Sequence, residues 1–193
     1  MSRIPLSLLE TKASLAAPED LHTVPVPYHA QLMEGWCWAA TLEMIVEALT
    51  FEDVQQCTFA NLEFQRDDCC PTNPACDQGA AFLAFPGILL TWGINADYEP
   101  RPLNFDELEG EIAAGRPVIY NILFADGTTH TGVCSGTYEA EDGEQFVYFL
   151  DPDAAFFHEW GRPPHGWIPY ADLLNAYGLP GNWFETLWQI RLG

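Results

Sequence analysis

Positive charge is scarce in this chain. Its 193 residues include 7 Lys and Arg against 28 Asp and Glu, which gives a net charge of −21 at pH 7. Nucleic-acid grooves need clustered cations that displace the counterions of the phosphates, and anionic membrane surfaces attract basic segments. The composition therefore predicts no nucleic-acid partner and no attraction to an anionic membrane surface.

Long hydrophobic runs are also missing. A membrane-spanning helix needs roughly 18 or more apolar residues in succession, and the longest apolar stretch, 80–92, is shorter and contains Pro86. Residues 4–9 begin like a signal peptide, but Glu10 and Lys12 interrupt the apolar run. We therefore expect no membrane span and no clear signal peptide.

The chain has no internal repeat and no low-complexity segment. Hydrophobic residues make up 48% and aromatic residues 13%, which is too much for a disordered chain. The length fits one domain with at most an extension. Residues 1–23 are weakly patterned and are interpreted as an arm or linker, so the domain is predicted to cover residues 24–193.

The hydrophobic periodicity changes along the domain. Apolar residues between 38 and 51 recur at helical spacing and predict the strongest helix, which begins near Cys37. Four more helices are predicted, over 51–63, 80–86, 104–114 and 170–177. Four strands are predicted, over 117–124, 129–138, 145–150 and 183–192. This order predicts an α+β domain with a helical part over about 24–115 and an antiparallel sheet over about 116–193.

Four of the six cysteines are clustered in sequence, namely Cys57, Cys69, Cys70 and Cys76. A reducing compartment would keep them as thiols or a metal site, whereas an oxidising one would pair them as two bridges. Adjacent cysteines fit one zinc tetrahedron poorly, so two disulfides are preferred, with a pairing that the sequence leaves open. No metal site and no cofactor are predicted.

Cys37 is the candidate nucleophile. It opens the strongest predicted helix, where free backbone N–H groups and the positive end of the helix dipole favour the reactive thiolate. Gly35, Trp36 and Trp38 lie beside it and are the candidate substrate-binding residues. Gln31, a few positions upstream, can donate its side-chain amide to a developing oxyanion together with the Cys37 N–H.

A cysteine nucleophile needs a histidine as its base, and the chain has five. His29 lies on the wrong side of an extended segment, and His158 and His165 lie among loop-forming residues. His130 begins a predicted strand, which can aim the imidazole from a rigid element. It is therefore the candidate base.

Asp151 ends the next predicted strand and is the candidate partner of His130. It would hold the imidazole tautomer and stabilise the imidazolium. A tight turn at Asp142-Gly143 would put the two residues four positions out of register, whereas a longer loop would bring them level. Both registers are open at this point.

Gln31, Cys37, His130 and Asp151, together with two short segments, resemble the active-site sequence of a known superfamily. Val26-Pro-Tyr-His-Ala-Gln31 followed by Gly35-Trp-Cys-Trp-Ala-Ala40 is similar to the start of the active site in papain-like cysteine peptidases. The nearest branches are the bacterial bacteriocin-processing-like and avirulence-type effector peptidases, in which Gln, Cys, His and Asp occur in this order. The resemblance covers about residues 24–192, although Glu34-Gly35-Trp36 replaces the papain-type Cys-Gly-Ser.

The resemblance implies a thiol peptidase that cleaves a polypeptide through Cys37, His130 and Asp151, with Gln31 in the oxyanion hole. Its helical subdomain would come first and its sheet subdomain second, with the cleft between them. The acidic charge favours basic or neutral substrate segments. Export or delivery as an effector is expected from the cysteine cluster and the resemblance, and a cytoplasmic location is the alternative. The oligomeric state is not indicated.

Other functions use the same residues. A Cys-His-Asp site can deamidate or crosslink glutamine, because the thioester chemistry is shared. A non-catalytic peptide-binding module on the same fold and a secreted disulfide-stapled interaction protein are the alternatives of another class. Cys134 sits in a Gly-x-Cys-x-Gly segment like a nucleophile elbow, but no helix is predicted after it. It is interpreted as a buried core thiol.

Overall fold

Three helices form the first half of the domain. The computed structural model describes residues 21–193, and its helices here are α1 (Cys37–Thr50), α2 (Gln56–Phe64) and α3 (Phe85–Leu90). Two 3₁₀ turns, Pro74–Cys76 and Phe82–Ala84, lie between α2 and α3. The helix predicted to begin at residue 51 instead begins at Gln56, because Phe51 adopts a left-handed conformation (φ 61°) that ends α1.

Pro86 begins a helix instead of ending one. The sequence predicted a helix over 80–86 that stops at this proline, but α3 starts at Phe85 and has Pro86 in its first turn. A first-turn residue has no helical partner for its N–H, so proline is tolerated there. The predicted boundary was wrong for this reason.

Seven antiparallel strands form one sheet. They are β1 (His22–Thr23), β2 (Ile94–Glu99), β3 (Val118–Phe124), β4 (Thr129–Glu139), β5 (Gln145–Leu150), β6 (His165–Pro169) and β7 (Gly181–Leu192). Their order is β2-β7-β3-β4-β5-β6, and the short β1 pairs with β4. The four predicted strands are confirmed, with ends shifted by a few residues, whereas β1, β2 and β6 were not predicted.

Three short helices belong to the second half of the domain or border it. They are α4 (Phe105–Ala113), α5 (Ala154–Glu159) and α6 (Tyr170–Leu174). The α4 helix was predicted from its capping pattern. Asn104 accepts a hydrogen bond from the Glu107 N–H, and Glu107 accepts one from the Asn104 N–H, which forms a capping box.

The sheet separates two hydrophobic cores. One core joins α1, α2 and α3 to sheet residues such as Ile119, Val133 and Leu187. The other joins α4, α5 and α6 to residues on the opposite face, such as Tyr120 and Trp183. Among residues 21–193, no helix is long and apolar enough to cross a membrane.

A bulge in β4 sets the register that matters for the site. Cys134 pairs with Phe149, but Gly136 pairs with Tyr148, so Ser135 is the extra residue. Because Val133 pairs with Leu150, Asp151 continues the strand one position further and lies diagonal to His130. The observed register falls between the two alternatives, and diagonal neighbours on paired strands are within reach of a long side chain.

Candidate active site

Cys37 is the first residue of α1 and its side chain is partly exposed. The backbone N–H groups in the first turn of a helix have no helical partner, so they can bind a negative charge. The residue also faces β4, since Cys37, His130 and Thr131 line one cavity. The nucleophile predicted from the sequence therefore lies where the helix meets the sheet.

His130 connects Cys37 to Asp151. The His130 Nε2 lies 2.6 Å from Asp151 Oδ1, so the other ring nitrogen is left for the thiol. Asp151 is fully buried. It lies just beyond the end of β5, where Asp153 N–H donates a second hydrogen bond to Oδ1 over 2.9 Å.

The pKa values of Cys37 and His130 shift in opposite directions, and each shift favours the charged form of its side chain. Burial raises the pKa of the Cys37 thiol, but hydrogen bonding to His130 and its positive charge outweigh burial and hold that pKa below its usual value. Burial lowers the pKa of His130, but the charge and hydrogen bond of Asp151 raise it well above the usual value. The arrangement therefore favours a thiolate–imidazolium pair.

Two threonines join the nucleophile helix to the histidine strand. Thr41, one turn into α1, has its hydroxyl 3.2 Å from the hydroxyl of Thr131 and 3.4 Å from its carbonyl oxygen. Both residues are buried. This contact fixes the distance between the helix that carries Cys37 and the strand that carries His130.

Gln31 lies at the same cleft. Its backbone N–H donates to the Pro152 carbonyl over 2.9 Å, and its Nε2 donates to the Glu34 carbonyl over 2.8 Å. An amide nitrogen carries two hydrogens, so one donor remains. A cavity of about 150 Å³ is lined by Gln31, Cys37 and His130 together, and the structure therefore brings the predicted residues to one place.

Of the three residues predicted to bind substrate, two line the cavity at Cys37 and one lies in the core. Trp36 is fully buried and donates its indole N–H to the Cys76 carbonyl over 2.6 Å, so this assignment is corrected to a core role. Trp38 is buried too, but it lines the cavity and donates to the Gln78 carbonyl over 2.9 Å. Gly35 also lines the cavity.

Gly35 leaves little room for a side chain. Its N–H donates to Asp77 Oδ1 over 2.7 Å, and a Cβ atom there would lie 3.1 Å from both that oxygen and the carbonyl carbon of Gln78. The residues on both sides of Cys37 are thus attached to the segment 76–78. This attachment orients the start of α1.

The clustered cysteines form two disulfides that hold this segment. Cys57 is bonded to Cys70, and Cys69 is bonded to Cys76. The preferred prediction of two bridges is confirmed, and the structure supplies the pairing. Cys134 is free and buried, and burial raises the pKa of its thiol, in agreement with a core role.

One cluster has the residue types of a metal site. Asp68, Cys69 and Cys76 place one potential ligand atom each within 4.8 Å of one another. Both cysteines are joined in the same disulfide, and a thiolate is the form that binds metal. This cluster is therefore a structural part of the disulfide loop.

Sequence reasoning missed the tyrosines behind the aspartate. Tyr177 donates its hydroxyl to Asp151 Oδ2 over 2.9 Å, and its oxygen lies 2.5 Å from that of Tyr120. Tyr120 can lie across β4 because Gly132 has no Cβ, which would come within 2.2 Å of the tyrosine hydroxyl. No local pattern marks Tyr177, which lies 26 positions after its partner.

Comparisons with solved structures define the class of protein. The chain is similar to the double glycine motif protease from an AMS/PCAT transporter, solved with its leader peptide (TM-score 0.50, 16% identity, covering 86% of this chain and 91% of that chain). It is also similar to bromelain from Ananas comosus, solved with the inhibitor E64 (TM-score 0.51, 17% identity, covering 87% and 94%). The fold is that of the papain-like cysteine peptidases.

The family match is more specific. The sequence model of the Peptidase_C39 like family matches residues 23–162. The chain belongs to this family and is a cysteine peptidase. A search of curated proteins finds no match to the chain.

Proposed function

We propose that this peptidase hydrolyses peptide bonds with Cys37 as the nucleophile, His130 as the acid and base, and Asp151 as the residue that orients His130. Gln31 and the Cys37 N–H form the oxyanion hole. The observation that carries the proposal is the position of His130, which lines one cavity with Cys37 and has its Nε2 2.6 Å from the buried Asp151 carboxylate. Groups whose pKa values are shifted by specific partners cluster at functional sites.

The reaction follows from these positions. The Cys37 thiolate attacks the scissile carbonyl carbon and forms a C–S bond, while the carbonyl electrons move to the oxygen held by Gln31 and the Cys37 N–H. The oxyanion collapses, the C–N bond breaks, and the imidazolium of His130 gives its proton to the leaving amine. His130 then removes a proton from water, which attacks the thioester and releases the acid and the thiolate.

Asp151 supports both proton transfers. Its bond to Nε2 keeps the ring oriented with the other nitrogen toward sulfur and substrate. Its negative charge also stabilises the imidazolium before the first transfer and after the second. Since the carboxylate is fully buried, this interaction is little screened by water.

Site-resolved alkylation tests the proposal. Limiting iodoacetamide between about pH 4 and 9 should label Cys37 rapidly well below the pH at which an ordinary thiol ionises, because the pKa of Cys37 is lowered. In His130→Ala the charge that lowers this pKa is removed, so labelling should begin only above about pH 8. Peptide mapping by mass spectrometry would identify the labelled cysteine.

The control is His158→Ala, which removes an exposed histidine on α5 and should leave the Cys37 profile unchanged. Cys134 should stay unlabelled in every folded variant because it is fully buried. Cys37 labelling that begins near pH 8 in the unmodified protein would contradict the thiolate–imidazolium pair. That result would favour a peptide-binding module on the same fold.

The substrate proposed is a polypeptide with basic or neutral segments. The related double glycine motif protease was solved with a peptide bound, which supports a polypeptide substrate here. The cavity at Cys37 is bordered by the carboxylates of Glu34 and Asp153, and no Lys or Arg among the described residues lines it. Peptide mapping of products would separate hydrolysis, which makes new termini, from deamidation or crosslinking of glutamine.

A further inference from the structure

A second, larger cavity adjoins the active site. It has a volume of about 460 Å³. Its lining includes His130, Asp151 and Tyr177 and the apolar side chains of Phe124, Phe156, Leu179 and Pro180. We call it the apolar pocket. Its volume lies in the range of about 300–1,000 Å³ that is usual for ligand sites, so it has room for at least one large side chain.

The free surface of this pocket is apolar although acidic residues border it. Asp126 accepts hydrogen bonds from the N–H and hydroxyl of Thr128, and Asp153 accepts one from the N–H of Phe156. Asp151 is bound by its own donors. Most of the exposed surface that lines the pocket belongs to apolar atoms, and this surface favours a hydrophobic group.

The pocket meets the site at His130 and not at Cys37. It shares His130 and Asp153 with the cavity at Cys37, but neither Cys37 nor Gln31 lines it. In the proposed reaction Cys37 and Gln31 hold the acyl carbon and its oxygen, whereas His130 gives its proton to the departing amine. A cavity that touches His130 alone of these three therefore adjoins the part of the substrate that carries this amine.

Two connections make the pocket a fixed part of the fold. The Ala125 N–H donates to the Pro180 carbonyl over 2.9 Å, which joins the β3–β4 turn to the segment before β7. Phe124, Phe156 and Leu179 also pack against the buried core on that face of the sheet. Both walls are thus anchored, as a specificity pocket requires.

We infer that the apolar pocket binds a large hydrophobic side chain of the substrate, one or two residues after the scissile bond. This inference rests on the proposed function and adds its specificity. Burial of one Leu or Phe side chain gives a preference of about ten- to a hundredfold over glycine. The enzyme would thus select the residue after the cut by hydrophobicity.

Cleavage of a synthetic random-sequence peptide mixture tests the inference, with each cut bond located by mass spectrometry. The unmodified enzyme should enrich Phe, Leu, Met or Trp about tenfold or more at one of the two positions after the cut. Leu179→Glu places a charge in the pocket and should abolish this enrichment while peptides with glycine there are still cut. Leu90→Glu is the matched control, since Leu90 is an exposed residue of α3.

Phe124→Trp provides a second variant that adds volume instead of charge. It should shift the preference toward smaller apolar residues, such as Ala and Val, without creating a preference for polar ones. Cleavage without hydrophobic enrichment, or enrichment that Leu90→Glu reduces as much as Leu179→Glu, would overturn the inference alone. If no peptide is cleaved and Cys37 is alkylated only from about pH 8, as an ordinary thiol would be, the proposed function would be overturned instead.

Discussion

Asp151 is surrounded by donors, and the Tyr177 hydroxyl is the one that a single substitution removes. Tyr177→Phe keeps the ring but deletes the hydrogen bonds to Asp151 Oδ2 and to the Tyr120 hydroxyl. A hydrogen bond to a buried charged group contributes about 1.5–3 kcal/mol. We therefore predict that kcat falls about tenfold or more with little change in KM, measured on any peptide that the enzyme cleaves.

Tyr170→Phe is the matched control for this loss. The Tyr170 hydroxyl donates to the Leu103 carbonyl and has no contact with Asp151, so its loss should leave kcat nearly unchanged. The thermal unfolding midpoint of both variants would be measured alongside. An unchanged kcat in folded Tyr177→Phe would show that Asp151 is held without the tyrosine.

The close placement of Cys37, His130 and Asp151 could be predicted from sequence because each residue has a local signal. Cys37 begins a helix whose apolar residues recur at helical spacing, and His130 and Asp151 lie at the ends of strands that alternate or run apolar. Trp36 gave the wrong assignment because flanking the nucleophile in sequence says nothing about side-chain direction. Tyr177 had no signal at all, since only the folded sheet brings it to Asp151.

The disulfide loop holds the start of α1, and the two bridges should differ in their effect on Cys37. Cys69–Cys76 lies directly beside the carbonyl that Trp36 binds, whereas Cys57–Cys70 lies further from it in sequence. Loss of either bridge should lower the free energy of unfolding by about 2–4 kcal/mol. We predict that only the Cys69→Ser/Cys76→Ser variant also slows Cys37 alkylation.

Cys57→Ser/Cys70→Ser is the control for that measurement, because it opens a loop in the same segment. Denaturant unfolding would give the stability of both variants. Iodoacetamide labelling near pH 6 would give the reactivity of Cys37. Equal slowing in both would mean that the bridges act only through overall stability. Slowing in neither would mean that α1 holds its start without the loop.

The predicted strands were those with long apolar or alternating runs. The missed strands have weaker patterns, since β1 has two residues and β2 carries Asn95 and Asp97 on its exposed side. Pairing with β7 stabilises β2 regardless of its own propensity. Such strands depend on their neighbours and cannot be predicted from their own residues.

The net charge of −21 should influence which substrates reach the cleft. We predict that, at low salt, peptides rich in Lys and Arg are cleaved faster than matched peptides rich in Asp and Glu, because a negative field attracts cationic ligands. The difference should shrink as salt is raised, since screening lengths shorten to about 8 Å at physiological ionic strength. The measurement is kcat/KM for both peptides over a salt series.

A matched peptide with a neutral sequence serves as the reference in that salt series. It should show little dependence on salt. Equal rates for the basic and acidic peptides at low salt would contradict the charge preference. A difference that persists at high salt would instead place the selectivity in close contacts at the cavity, where Glu34 and Asp153 lie.

The separation of the site between α1 and the sheet also affects the protein while it is being made. Cys37 leaves the ribosome well before His130 and Asp151, and in an unfolded segment its thiol has an ordinary pKa near ~8.5 and is mostly protonated at neutral pH. The charge that lowers this pKa comes from His130, which is positioned only after β3, β4 and β5 have paired. A partly synthesised chain therefore carries a thiol of ordinary reactivity, and the proposed thiolate–imidazolium pair can form only once translation has passed β5.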